Sequence, residues 1–212
     1  ANPVGTWALA GALALLALAL SRAGLLAWRW DEVQDVDRIW RIFTLGARLD
    51  LVLFCYLAAV PALLHLALPP SAGRARLAGV LLTLIGSFVL FMELVTPEFM
   101  GEFDNRPDRL FFEYLEHPRE VFGMLWEHHR LNVLAIPLLL AAAVWGQWRA
   151  WRAWLAGEQG WSWRRRLAVA PVLVAVVFVG ARGLDHRPIN LSHAAFSGTR
   201  LANELPPNSA YT

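Results

Sequence analysis

Charged and polar side chains interrupt the apolar stretches of this chain at few places, and those places are where chemistry could occur. Arg48 and Asp50 stand two residues apart at the start of one apolar run, His65 lies near its far end, and Glu93 lies near the end of the next. His128-His129-Arg130 precedes a further run, and Arg182 and Arg187 flank the end of the last. An ionisable group inside a lipid-facing segment is costly unless it is paired or wet, so each is a functional candidate. Each also has a plainer reading. Arg48 and Asp50 do not face each other on a helix, so each can be an interfacial ion-pair partner reaching elsewhere. Glu93 can pair with Arg48 or Arg130, and His65 can pack. Adjacent histidines project about 100° apart on a helix and make a poor chelating pair. Arginines at span ends can snorkel. Glu98, Glu102, Asp104 and Asp108 could bind a divalent cation or form a solvated acidic loop. The sequence has no G-x-S-x-G, no H-E-x-x-H and no glycine-rich phosphate loop. Ser192-His193 and Asp185-His186 are sequence neighbours, which is no evidence of a catalytic triad.

The elements that must position these groups follow from composition. Of 212 residues, 57% are hydrophobic and 17% charged, against about 45–50% and about 25% in a soluble domain. All 19 basic residues are Arg, which reads either as coding bias or as selection for the bidentate grip of guanidinium on phosphate. They cluster beside apolar runs, a pattern of membrane topology and not of nucleic-acid binding. The single cysteine, Cys55, sits inside an apolar run, so neither an intrachain disulfide nor a cysteine-based metal cluster can form.

A span needs about 20 mostly apolar residues. Five stretches qualify, at about 7–28, 49–68, 77–95, 131–148 and 167–184, giving an all-α integral membrane fold with five transmembrane helices. The first lacks a charged leader and four more follow it, so it is not read as a signal peptide. The loops with Arg74 and Arg76, and with Arg149, Arg152, Arg164, Arg165 and Arg166, are the cytoplasmic ones by the positive-inside rule. The acidic stretch from Glu98 to Glu127 is then outside, the N-terminus is cytoplasmic and the C-terminus extracytoplasmic. Trp145, Trp148, Trp151, Trp154, Trp161 and Trp163 form an aromatic belt at the cytoplasmic border. Two segments read as short helices lying in the outer interface. One is about 30–45, with Val33, Val36, Ile39, Trp40 and Phe43 at helical spacing. The other is about 106–127, where Leu110, Phe111, Tyr114 and Leu115 could share a face. In it Pro118 suits the first helical position and Glu120 the positive helix end. Residues 185–212 are polar and proline-containing and read as an extracytoplasmic linker.

Three stretches carry a resemblance. The first is Leu45-Gly46-Ala47-Arg48-Leu49-Asp50. The second runs from Pro97-Glu98-Phe99 to Trp126 through Glu102-Phe103, Arg109-Leu110, Glu113-Tyr114-Leu115 and Pro118-Arg119-Glu120-Val121. The third is Arg187-Pro188-Ile189-Asn190 through Ala195-Phe196-Ser197, then Leu201-Ala202-Asn203-Glu204-Leu205. In this order and spacing the chain resembles the membrane half of the lipoteichoic-acid-synthase-like enzymes of Gram-negative bacteria, within the alkaline phosphatase and sulfatase superfamily. The resemblance implies five N-terminal spans and a large extracytoplasmic domain with a threonine nucleophile and a divalent metal, typically manganese. Such a domain moves a polyol-phosphate or phosphoethanolamine group from a phospholipid to a glycan or lipid acceptor. Its catalytic residues would lie beyond Thr212, so no catalytic residue, metal ligand or cofactor is expected in this chain. The domain would be either missing or cut off, and Ala210-Tyr211-Thr212 loosely fits the small-residue preference of signal peptidase.

The expected function is therefore the membrane anchor and lipid-presenting domain of a phosphoglycerol or phosphoethanolamine transferase of the bacterial inner membrane. Arg48, Asp50, Glu93, Arg109 and Arg130 would hold a phospholipid headgroup near the metal site, where a low-dielectric rim strengthens the contact. The expected partners are membrane phospholipids and the chain's own catalytic domain, with no nucleic acid. The alternative is a non-catalytic lipid-sensing or scaffold protein of the same superfamily. A small transporter would need polar groups at mid-membrane and broken helices, whereas these spans are clean in their centres.

Overall fold

A computed structural model of the chain describes residues 2–114, 116, 118–158, 160–182 and 189–212. Of the positions singled out above, Leu115, Leu184, Asp185, His186, Arg187 and Pro188 lie outside the described residues, as do the side chains of Leu110, Tyr114, Glu120 and His128. The described residues form helices and turns with no strand. In order these are α1 (Pro3–Trp28), α2 (Trp30–Val33), α3 (Arg41–Ala67), α4 (Ala72–Phe103), α5 (Arg109–Tyr114), α6 (Pro118–His128), α7 (Arg130–Ala156) and α8 (Trp163–Arg182). A 3-10 turn at Leu191–Ala194 and α9 (Arg200–Glu204) follow. Four of them, α1, α3, α4 and α7, are long and apolar enough to cross a membrane. The 20-residue α8 opens on Arg164-Arg165-Arg166.

Local chemistry fixes the helix ends. Asn2 caps α1 by accepting from the Gly5 amide at 2.8 Å, with Pro3 following where no amide hydrogen is needed. Leu68 is extended because Pro69 follows it, and α3 stops there. Ser71 caps α4 by accepting from the Arg74 amide at 3.1 Å, and Asp104 ends that helix with a left-handed φ of 51°. Pro61, Pro97, Pro137 and Pro171 sit inside long helices, each removing one amide donor from the helical ladder.

Successive long helices run up and down. The start of α1, the ends of α3 and α7 and the starts of α4 and α8 meet at one end, the basic end. The end of α1, the start of α3 and the end of α4 meet at the other. The central helix is α3, packed on α1, α8 and α4, while α7 leans on α4.

Two expectations change and one holds. Residues 30–45 are not one helix: α2 is a single turn, and α3 begins at Arg41. The break falls at Arg38, whose φ of 61° is left-handed and whose carbonyl accepts from the Arg41 amide at 2.8 Å. It lets Val33 and Ile42, one from each side, bury in the same cluster as Leu25, Met100 and Leu205. Residues 106–127 hold two short helices, α5 and α6, and Pro118 takes the first position of α6 as expected, while Phe111 packs on Phe91 and Phe99. Most consequentially, residues 189–212 do not leave the bundle as a linker. They fold back onto the end opposite the basic end, here called the tail end. Ile189 and Ala194 pack on Leu49 and Val52, and Leu201, Ala202 and Leu205 join the Val33–Ile42 cluster.

Candidate functional site at the tail end

Two arginine–carboxylate pairs are buried where α1, α3 and α4 converge. Arg22 of α1 is 1% exposed. Its Nη2 donates to both carboxylate oxygens of Asp50 on α3, at 2.9 and 3.0 Å, and its Nε donates to the carbonyl of Pro206 at 3.1 Å. Asp50 accepts a further bond from the Asn208 amide at 2.8 Å. The motif Gly46-x-Arg48-x-Asp50 gains a physical reason here. The Arg22 guanidinium lies against the α3 backbone at Gly46, and any Cβ there would overlap it.

Arg106, between α4 and α5, is the second buried guanidinium. Its Nη1 donates to Glu93 of α4 at 3.1 Å and to the Ser209 hydroxyl at 3.0 Å, and its Nε donates to the Glu204 carbonyl at 2.8 Å. Glu93 also accepts from the Ser209 amide at 3.0 Å and from the Ser21 hydroxyl. Thr96 and Ser209 share a hydroxyl–hydroxyl bond of 2.5 Å. The arrangement is charge-balanced, and every carboxylate oxygen of Asp50 and Glu93 has a donor. That is the condition under which buried ion pairs are tolerated. Residues 205–209 complete it, and the whole run is buried. Glu204, on α9 beside Arg106, has its carboxyl pushed above the usual range by burial; the Arg106 amide and the charges of Arg106 and Arg200 oppose the shift and Asp108 adds to it. Burial likewise raises the Tyr211 phenol, which donates to the Ile189 carbonyl at 3.0 Å.

A second polar cluster closes the basic end. The Trp7 indole donates to His65 Nδ1 at 3.1 Å, and because an indole can only donate, the His65 proton sits on Nε2, facing Glu158 at 2.9 Å. Arg74 holds the other Glu158 oxygen at 2.9 Å, and Arg166 donates to the Leu68 carbonyl at 2.8 Å. Around it Arg149, Arg152, Arg164 and Arg165 lie over the rings of Trp145, Trp148, Trp163 and Trp161 at 5.0, 5.7, 5.7 and 4.2 Å.

The five expected headgroup residues are thus divided. Asp50 and Glu93 come together in the buried cluster. Arg48 is half-buried on another face of α3. Arg109 is 90% exposed and paired with Glu113 at 2.9 Å. Arg130 is exposed, with its Nε donating to the Trp126 carbonyl at 2.9 Å. Glu93 pairs with Arg106, not with Arg48 or Arg130. Among the described residues no three His, Cys, Asp or Glu side chains gather as a metal site. Of the acidic loop, Glu98 and Glu102 face His129 at 2.5 and 3.4 Å, and Asp104 pairs with Arg29. Sequence reasoning passed over Arg22, Arg106, Asn208 and Ser209. The available signal was Arg22 itself, a lone charge inside an apolar run that demanded a partner.

No family model matches the chain, and no solved structure matches it. What the fold defines is an all-α protein whose four apolar helices are compatible with a membrane location.

Proposed function

We propose that the chain is the membrane-anchoring, lipid-presenting part of a phospholipid-dependent phosphoglycerol or phosphoethanolamine transferase of the bacterial inner membrane. In this reading α8 is the fifth span, the Arg- and Trp-rich basic end is cytoplasmic, and the tail end is extracytoplasmic. The observation that carries it is the docking of residues 189–212. Asn208 and Ser209 are bound to the carboxylates of Asp50 and Glu93, so the polypeptide is held in a fixed direction on the outer face. A separate catalytic domain, with the threonine and manganese implied by the resemblance, is oriented by that hold. This chain supplies no reacting group.

The headgroup role now falls differently. Asp50 and Glu93 are committed to Arg22 and Arg106, and they organise the platform. Of the arginines among the five expected residues, Arg109 and Arg130, on α5 and at the start of α7, are the exposed ones and are the ones offered to a phosphate. The test is phospholipid turnover to diacylglycerol in membranes that hold the complete polypeptide. Turnover should fall several-fold in Arg109→Ala and Arg130→Ala at normal membrane levels. Unchanged turnover removes the headgroup role, and a complete polypeptide with no turnover at all supports the non-catalytic lipid-sensing alternative.

A further inference from the structure

Between α1, α3, α4 and α7 the bundle encloses a cavity of about 550 Å³, within the range of about 300–1,000 Å³ typical of small-molecule sites. Its walls are aliphatic and aromatic over most of their length. The indole N–H groups of Trp7 and Trp154 are spent on His65 and Thr6, so both rings turn carbon toward the space. At the tail end the cavity stops against Ser21, Asp50 and Glu93. The carboxylate oxygens there are already engaged by Arg22, Arg106, Asn208 and Ser209, so that end offers no unmet charge to a headgroup. Four of the lining residues, Leu13 and Ala17 on α1 and Ala150 and Trp154 on α7, are exposed. The opening is therefore lateral, between two helices that are themselves apolar.

Resting on the reading of these helices as bilayer-embedded, we infer that the cavity holds one acyl chain of a membrane lipid, which enters sideways between α1 and α7 and leaves its headgroup outside the mouth. Apolar walls hold water poorly. An empty space of this size would forfeit the dispersion contacts of its lining. In a bilayer the fluid at the mouth is hydrocarbon, so the occupant needs no recognition beyond shape, and the closed polar cluster sets how deep the chain can reach.

The experiment uses the protein in liposomes that contain a phospholipid with a diazirine near its acyl terminus, with adducts mapped by mass spectrometry after photolysis. Leu138, 71% exposed on α7, reports contact with bulk lipid, while Ala14, Leu18 and Ala143 report the cavity. Adducts at both sets are expected, with those in the cavity cut at least tenfold by Ala143→Phe while Leu138 keeps its own. Adducts at Leu138 without any in the cavity overturn the inference and leave the membrane reading standing. Adducts at neither overturn the membrane reading and the inference together. Should Ala143→Phe not fold, the wild-type ratio of cavity to surface adducts decides the matter alone.

Discussion

Arg22 and Asp50, 28 residues apart in the chain, face each other in the buried tail end of the bundle, with one guanidinium nitrogen bonded to both carboxylate oxygens at 2.9 and 3.0 Å. Both side chains are 1% exposed. Removing one partner of such a pair strands the other charge, at a cost of about 3–5 kcal/mol, whereas replacing both by apolar residues of similar volume is often nearly neutral. Arg22→Ala or Asp50→Ala should therefore destabilise the protein by about that amount in detergent unfolding, and Arg22→Met with Asp50→Leu should recover most of the loss. Single and double variants of equal stability would show that the pair is not buried as described.

Gly46 belongs to the same unit, because its missing side chain makes room for the Arg22 guanidinium. Gly46→Ala should destabilise the wild type by about 1–3 kcal/mol, the usual cost of overpacking. In the Arg22→Ala background it should cost much less. A double-mutant cycle measures this coupling, and strict additivity would separate the two residues.

The docked segment predicts a protease phenotype. Arg200 is exposed at the start of α9, while the bonds from Asn208 and Ser209 to Asp50 and Glu93 hold that region on the bundle. Trypsin should cut after Arg200 slowly in the wild type and several-fold faster in Asn208→Ala with Ser209→Ala. Equal rates would mean that these bonds do not control docking.

Glu204 gives docking a pH dependence of definite sign. Its folded-state pKa is raised by burial, so the docked state binds more protons than the released one between the ordinary carboxyl range and the raised value. Docking is then strongest on the acid side and weakens as pH rises through that window, becoming constant above it. Arg106, Arg200 and Asp108 are the charged groups acting on it. Hydrogen exchange across 200–206 should show the loss in the wild type, and Glu204→Gln should flatten it.

Hydropathy made the long helices legible, because a span advertises itself by length and by lack of charge. The short elements were harder to read. The apolar spacing at 30–45 singled out Val33, which is buried, but it could not reveal the left-handed turn at Arg38 that breaks the helix, since arginine carries no signal for it. Asp50 and Glu93 stood out as charges inside apolar runs. Their partners did not: Arg22 and Arg106 lie far from them in the chain, and no local motif joins the two sets. Residues 189–212 were the largest miss. Their polarity looks like solvation in a list of residues, yet Asn208 and Ser209 are polar because the surface they dock on is a buried cluster of charge.

The docking of that segment is most directly tested by a cysteine pair at Thr96 and Ser209, whose hydroxyl oxygens are 2.5 Å apart, close enough for the Cβ–Cβ separation of about 3.5–4.5 Å that a disulfide needs. In a Cys55→Ala background, Thr96→Cys with Ser209→Cys should oxidise to a single intrachain disulfide, leaving no thiol to alkylate in the folded protein. Two thiols that both react freely with a maleimide, in protein that is otherwise folded, would contradict the account.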